Sequence, residues 1–318
     1  MENIEKIKLY KMMRKIRMFE KNMLILTQQG FIEGSIHFYI GQEAISAGVC
    51  YCLKKTDYIV SNHRSHGHLI SKGGNLNKMI AELMGRETGY CRGRGGTMHL
   101  MDAEIGMMGA NGIVGSGIPI SVGLGNACKD FEKDKIVVSF FGDGAINTGA
   151  FHESLNLAAA WGLPIIFVCE NNKYAISTDV QAATAVEDLS DRAKAYGING
   201  YSIDGNDVFK VIQTTRKGIK TIREEGKPSL IVCNTYRQLG HSIHDPRPYR
   251  TKSEEELWKK RDPIDILEAL LVKQNILNEE KIKEIGKEIQ AEINSAIKFA
   301  KDSPKPDIKD LCKGVTAS

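Results

Sequence analysis

Apolar residues recur along the first thirty positions at Ile4, Ile7, Met12, Ile16, Phe19, Met23 and Leu26, and the run stops at Gly30. That three-to-four-residue spacing predicts a long opening helix over 4–29, with Gly30 as its C-terminal cap. A second helix is expected over 41–53. From residue 58 onward the pattern changes to short apolar runs separated by helical stretches. Residues 58–61 read as a brief strand and 76–84 as a helix. The glycine-rich stretch 85–117 reads as mostly irregular, and 118–131 as a helix of small residues. Three runs, 135–141 (KIVVSFF), 164–170 (PIIFVCE) and 228–235 (PSLIVCNT), are apolar throughout. Strands of that kind are buried on both faces, which is the condition of a parallel sheet covered by helices. Helices are expected between them at 147–161, 187–196 and 207–225, with a shorter strand at 198–203. The alternation predicts an α/β, doubly wound, mostly parallel sheet flanked by helices. A polar loop over 237–252 follows, then helices at 253–272 and 278–301. The expected organisation is a single domain over 1–318, with a helical N-terminal extension (1–57) and a helical C-terminal extension (253–301) packed on it.

Composition narrows the function classes. The 318 residues carry 43 basic and 39 acidic side chains, a net charge of +4. The basic residues are scattered rather than gathered on one stripe, which argues against nucleic acid as a partner. No apolar run approaches the length needed to span a bilayer, and no signal-peptide core opens the chain, so a cytoplasmic location is expected. Seven cysteines without a C-x-x-C pair read as free thiols of a reducing compartment.

The candidate chemistry begins where the first long strand ends, in Gly142-Asp143-Gly144-Ala145. Glycines on both sides of a carboxylate let backbone approach a ligand, and the carboxyl end of a strand is where open α/β sheets bind ligands. The helix expected from about residue 147 would point its N-terminal N–H groups to the same place, which favours an anion. The next strand ends in Asn171-Asn172, with Tyr174 close behind. Asp143 and Asn172 therefore offer oxygen to one cation from neighbouring strand ends. A carboxylate, an amide oxygen and a helix N-terminus suit Mg²⁺ carrying a diphosphate. Either motif alone reads as an ordinary turn; their succession after two apolar strands gives them meaning.

Gly-Asp-Gly followed one helix and one strand later by Asn-Asn resembles the signature of thiamin-diphosphate enzymes. Further segments resemble one family in order along nearly the whole chain: His37-Phe-Tyr-Ile-Gly-Gln-Glu-Ala44, His63-Arg64-Ser-His66-Gly67, Arg94-Gly-Gly-Thr-Met-His99, Asn111-Gly-Ile-Val-Gly115, and Tyr236-Arg237 through Gly240-His241-Ser242 with Asp262-Pro263. That family is the α subunit of the E1 component of 2-oxo acid and acetoin dehydrogenases. The resemblance implies a thiamin-diphosphate-binding fold with thiamin diphosphate and Mg²⁺ as cofactors. It implies side-chain ligation of Mg²⁺ by Asp143 and Asn172 and a backbone carbonyl from Tyr174. Backbone N–H groups of Gly144 and Ala145, with Arg64 and His63, would face the diphosphate. Gly112 and Val114 fall where the family contacts the pyrimidine and the bent middle of the cofactor. His37 and His241 fall on the substrate side, as the acid/base and orienting candidates, with His241 on a loop that closes over the cofactor.

The resemblance further implies an E1 β subunit in an α2β2 heterotetramer, which would supply the glutamate that activates the cofactor, and a lipoyl-bearing E2 acyltransferase. The expected reaction is cleavage of acetoin or a 2-oxo acid such as pyruvate, passing the acyl or hydroxyethyl unit to lipoamide on E2. A transketolase- or decarboxylase-like half that does not use lipoamide is the alternative. His63 stands where pyruvate-type enzymes carry a tyrosine, and Gln238-Leu239 replaces an aromatic-His pair. Those departures, with Met-His-Leu-Met-Asp at 98–102, lean toward the acetoin branch. His63, His66 and His68 lie close enough in sequence for a zinc site, but no cysteine or carboxylate beside them completes a ligand set. His66 is expected instead to hold its loop, and Arg92 and Arg94 to face phosphate or a partner chain.

Overall fold

The computed structural model describes residues 1–310, 312 and 313. The opening helix α1 (Asn3–Gln28) buries the periodic face read from the sequence, including Met13, Ile16, Phe19 and Met23. Gly30 does end it, one residue beyond the cap at Gln29. At φ 78° it lets the Phe31 N–H return to Leu26 O at 2.9 Å, a closure that favours glycine. Helix α2 (Glu43–Tyr51) leads to strand β1 (Tyr58–Ser61), helices α3 (His66–Lys72) and α4 (Leu76–Leu83), strand β2 (Met107–Ala110) and helix α5 (Gly117–Phe131). Strand β3 (Val137–Gly142) passes through a 3-10 turn, Asp143–Asn147, into helix α6 (Gly149–Trp161), whose first turn is capped by Thr148.

Strand β4 (Ile165–Asn171) is followed by a two-stranded hairpin, β5 (Tyr174–Ala175) and β6 (Thr178–Asp179), and a one-turn helix α7 (Val180–Ala183). Strand β7 (Asn199–Asp204), helix α8 (Val208–Glu225) and strand β8 (Ser229–Asn234) complete the sheet. Helices α9 (Lys252–Lys259), α10 (Pro263–Lys273) and α11 (Glu279–Asp302) close the description.

All six main strands pair in parallel, in the order β2-β1-β3-β4-β8-β7. The apolar runs bury alternate residues into two cores, as period-2 geometry requires. On β4, Ile166 and Val168 join the layer under α1, α2, α4, α8 and α11, while Ile165, Phe167 and Cys169 join the layer under α5 and α6. The terminal helices contribute to the first of these layers, with α11 packed on α4 and α1. No helix among the described residues is long and apolar enough to cross a membrane.

Four details depart from the expected elements. Strand β2 and helix α3 occupy stretches read as irregular or as loop. The helix expected over 147–161 starts at Gly149, so the first N–H groups beyond Asp143 belong to the 3-10 turn rather than to α6. The stretch 187–196 is 3-10 rather than α. The helix expected over 253–272 is two helices, broken where Asp262 caps α10 and Pro263 takes its first turn, since proline lacks the N–H that a continuous helix would need there.

Candidate active site

The parallel register sets the site. Gly142 lies opposite Glu170, and Glu170 opposite Cys233, so β3 and β4 end side by side. Asp143 and Asn172 leave the sheet at adjacent positions and line one cavity with His63, Arg64, Val114, Gly144, Ala145, Tyr174 and His241. The carboxyl ends of β1, β2, β3 and β4, with the loop after β8, thus bring together nine of the eleven residues singled out in the sequence. His37 stands just behind this wall. Its ring centroid is 4.9 Å from that of His63 and 4.8 Å from that of His241. Gly112 does not line the cavity, although Asn111 and Ile113 do; a side chain at Gly112 would meet Met98 and His99 at 3.7 Å.

Asp143 is 2% exposed and has no ion-pair partner among the described residues. Burial pushes its pKa up to about 6, against the weaker pull of backbone N–H groups and of the Arg237 charge. The Asn172 amide is oriented by Gln42, whose Oε1 accepts from Asn172 Nδ2 at 3.2 Å. The Tyr174 carbonyl accepts from Arg237 Nη1 at 3.2 Å. Gly144 sits so close to the hairpin that a Cβ there would come 2.7 Å from the Ala175 Cβ, which explains the second glycine of the motif. That hairpin turns through Lys173 (φ 80°) and Ile176 (φ 55°). Such angles are costly for a β-branched residue, and the Ile176 carbonyl is held by Arg237 Nη2 at 2.7 Å.

Arg64, 3% exposed, donates from Nη1 to Phe38 O at 2.9 Å and from Nη2 to His241 O at 2.7 Å. Nη2 also lies 3.2 Å from His241 Nδ1, which makes that nitrogen the acceptor and leaves the proton on Nε2. Burial is the main cause that lowers the three imidazoles, to about 3 for His37, about 2 for His63 and about 4 for His241, and the Arg64 charge adds to each. All three are therefore neutral at pH 7. His37 Nδ1 and His63 Nε2, although buried, have no hydrogen-bond partner among the described residues. Burial also brings Arg64 down to about 9.

The neighbouring histidines take separate partners. His66 bridges Glu20 at 3.1 Å and Thr97 Oγ1 at 2.7 Å, and His68 bridges Ser61 Oγ at 2.7 Å and Glu170 at 3.0 Å. Arg92 pairs with Glu87 and Asp310, and Arg94 donates to the carbonyls of Asp310 and Lys313. Both arginines thus face the chain's own C-terminal segment.

Sequence reasoning passed over Asn62, Glu170 and Arg237 as site residues, and all three line the cavity. Glu170 carried a readable signal: it lies two residues before Asn172 on a strand, hence on the same face. Arg237 stood in a quoted family motif but was given no role there, because it reaches the cavity from the loop after β8.

The sequence model of the family "Dehydrogenase E1 component" matches residues 10–309. The alpha subunit of acetoin:2,6-dichlorophenolindophenol oxidoreductase from Bacillus subtilis is 42% identical over 311 residues, which covers 98% of this chain and 93% of that protein. The protein of the same name from Cupriavidus necator is 41% identical, over 97% of this chain and 93% of its own length. The alpha subunit of the pyruvate dehydrogenase E1 component from Rickettsia bellii is 38% identical, over 96% and 94%. These similarities favour a dehydrogenase over a transketolase- or decarboxylase-like half. The chain belongs to the dehydrogenase E1 component family, as an α subunit of the acetoin or pyruvate dehydrogenase kind.

Proposed function

We propose that this chain holds the diphosphate and Mg²⁺ of thiamin diphosphate and, joined to a β subunit, cleaves acetoin, the acyl unit passing to lipoamide on a separate E2 protein. The observation that carries the reading is Asp143: a buried carboxylate without an ion pair, beside an amide oriented by a neighbour, at the joined ends of two parallel strands. A buried carboxylate is costly without a counter-charge. Asp143 and Asn172 are oxygen donors of the kind Mg²⁺ takes, and two side chains leave room for phosphate oxygens and water. Tyr174 would add its carbonyl, whose second lone pair is free beside the Arg237 bond. The Gly144 and Ala145 N–H groups and the Arg64 guanidinium are the donors this chain offers to a diphosphate.

When bound, thiamin diphosphate supplies an acidic ring carbon and an electron sink for breaking a bond beside a carbonyl. The chain's own residues bind, orient and exchange protons. His241, with its proton on Nε2, and His37, with an unpaired Nδ1, are neutral at pH 7, so each can donate its N–H to a carbonyl oxygen or accept a proton from a hydroxyl at its bare nitrogen. The exposed apolar rim of Ile113, Val114 and Ile176 fits a site closed against water by a partner. The α-subunit names of the relatives support a β partner, and identities of 42% and 41% to the acetoin enzymes against 38% to the pyruvate enzyme favour acetoin.

The test is dye reduction by the αβ complex with thiamin diphosphate and Mg²⁺, run on acetoin, pyruvate and branched 2-oxo acids. A kcat/KM for acetoin at least about tenfold above the others is expected, a difference that needs roughly 1.4 kcal/mol of differential transition-state binding. Dominance of pyruvate would transfer the reading to that substrate, and silence on all of them with cofactor bound would overturn it.

A further inference from the structure

Glu170 is 1% exposed and sits at the end of β4, two residues before Asn172 and level with Gly142 on β3. Its carboxylate gathers donors from three places: the segment before α2, the turn after β1, and helix α3. Oε1 accepts from the Tyr39 hydroxyl and from His68 Nε2 at 3.0 Å, and Oε2 accepts from Asn62 Nδ2 at 3.2 Å. His68 Nε2 faces a carboxylate oxygen, which can only accept, so its proton is assigned there and His68 is a donor to Glu170; Nδ1 lies 2.7 Å from Ser61 Oγ. Asn62 passes the arrangement on, because its Oδ1 accepts from the Arg64 N–H at 2.8 Å.

Those three stretches carry the rest of the site. Tyr39 follows His37 by two residues, and Phe38 between them takes the Arg64 guanidinium. Asn62 opens the turn that bears His63 and Arg64, and His68 belongs to the helix that ends that turn. Glu170 itself is continuous with the strand that delivers Asn172. We propose that Glu170 is the positioning residue of this site: one carboxylate sets His37, His63 and Arg64 in register against Asp143 and Asn172. The proposal deepens the cofactor reading above and rests on it.

A carboxylate is required because all three partners are donors. A glutamine in its place would present an oxygen to one corner and an NH₂ to the other. With the NH₂ toward Asn62, two donors face each other. If the Asn62 amide turns over to relieve that clash, its own NH₂ then faces the Arg64 N–H. The conflict is thereby delivered to the backbone of Arg64. Converting Asn62 to a carboxylate cures it, since an acceptor then meets both the introduced amide and the Arg64 N–H.

The experiment compares wild type, Glu170→Gln, Asn62→Asp, the Glu170→Gln/Asn62→Asp double variant and Tyr39→Phe, each as the αβ complex. Thiamin diphosphate affinity with Mg²⁺ is measured by calorimetry, alongside thermal melting and dye reduction. Each single charge-altering variant should bind the cofactor at least about tenfold more weakly, because Glu170→Gln leaves a buried donor facing a donor and Asn62→Asp leaves two carboxylates facing each other. The double variant should return to within about threefold of wild type, a coupling that only an interacting pair shows. Tyr39→Phe removes one donor while keeping the ring, and should weaken binding by about threefold without loss of assembly.

Unchanged affinity in Glu170→Gln, or a double variant no better than the worse single, overturns the proposal, as does melting that falls additively while affinity holds. If Glu170→Gln fails to assemble, recovery of assembly and binding in the double variant supports it, and its failure there overturns it. Wild-type complex that does not bind thiamin diphosphate would instead sink the cofactor reading itself.

Discussion

Asp143 shows most directly how a proposed metal ligand conflicts with folding. Its carboxyl is pushed up to about 6 from an ordinary 3.8 because burial penalises the charge more than the backbone N–H groups and the Arg237 and Lys173 charges favour it. A carboxyl whose folded pKa lies above its unfolded value keeps its proton better when folded. The cofactor-free chain therefore loses stability as pH rises from about 3.8 through about 6. Asp143→Asn removes that cost, so at pH 7 to 8 the cofactor-free variant should be more stable than wild type by about 1–3 kcal/mol. The gap should vanish below the unfolded value, where both side chains are neutral. The same substitution should abolish Mg²⁺-dependent retention of thiamin diphosphate. Thermal melts across pH, paired with cofactor titration of the αβ complex, check both signs, and an unchanged cofactor affinity would remove Asp143 from the proposed metal set. At this scale Asp143, Asn172 and Arg64 were legible in the sequence because chemistry-bearing types end apolar strands or sit in family motifs. Asn62 was not, and Arg237 was given no role although it stands in a family motif, because the contribution of each depends on which loops meet in space. Arg237 reaches the site only by bonding the carbonyls of Tyr174 and Ile176 across 63 and 61 residues of chain.

Among the elements, the strands were the most readable. Runs apolar on every residue must be buried on both faces, and β3, β4 and β8 fall within a residue or two of their expected limits at both ends. Strand β2 escaped because Met-Met-Gly-Ala has no β-branched residue and exists only by pairing with β1. The glycine-rich stretch before it is ordered for a reason its composition hides. Glu82, fully buried, accepts from the N–H groups of Cys91, Gly93, Gly95 and Gly96 at 2.7–3.0 Å. The loop folds around that carboxylate rather than around apolar side chains.

The break between α9 and α10 has a tertiary purpose as well. Asp262 caps α10 through the Ile264 N–H at 2.8 Å, pairs with Arg17 of α1 at 2.9 Å, and takes Gln238 Nε2 from the 237–252 loop at 2.8 Å. Arg17 also pairs with buried Glu43. Asp262→Ala removes a cap and one of the two carboxylates paired with the mostly buried Arg17 guanidinium, so a loss of about 2–4 kcal/mol is expected. Chemical denaturation would show this, and a loss below about 0.5 kcal/mol would mean that solvent or Glu43 replaces Asp262 fully.

For the whole molecule, the wall of the cavity ends in exposed apolar residues. Ile113 is 71% exposed, Val114 53% and Ile176 59%, all lining the cavity that holds Asp143. Water-facing aliphatic side chains around a cavity are what the core of an interface presents, and they fit the proposed β partner. The isolated chain is accordingly expected to bind thiamin diphosphate weakly and to show no dye reduction. Addition of the β subunit should slow amide hydrogen exchange across 111–116 and 174–178 along with the onset of activity. Turnover by the chain alone, or unchanged exchange in an active complex, would count against the split site.

Length, hydrophobic period and motif order were sufficient for the α/β class, for most helices and strands, and for the family, because each is a local property: burial on one face or two, a cap, or a ligand type at a strand end. The meeting of residues distant in sequence was decided only in three dimensions. The sequence placed His37, His63 and His241 in separate motifs; the fold packs their rings within 5.4 Å of one another and keeps all three neutral beside Arg64. It likewise placed Glu170 inside an apolar run as one more strand residue. Only the parallel register of β3, β4 and β8, with α3 and the 36–41 segment laid against their ends, turns that carboxylate toward Tyr39, Asn62 and His68. The physical reason is that hydrophobic periodicity specifies which face of an element is buried, while the partner of a buried polar group is fixed by whatever chain the rest of the fold brings within hydrogen-bonding distance.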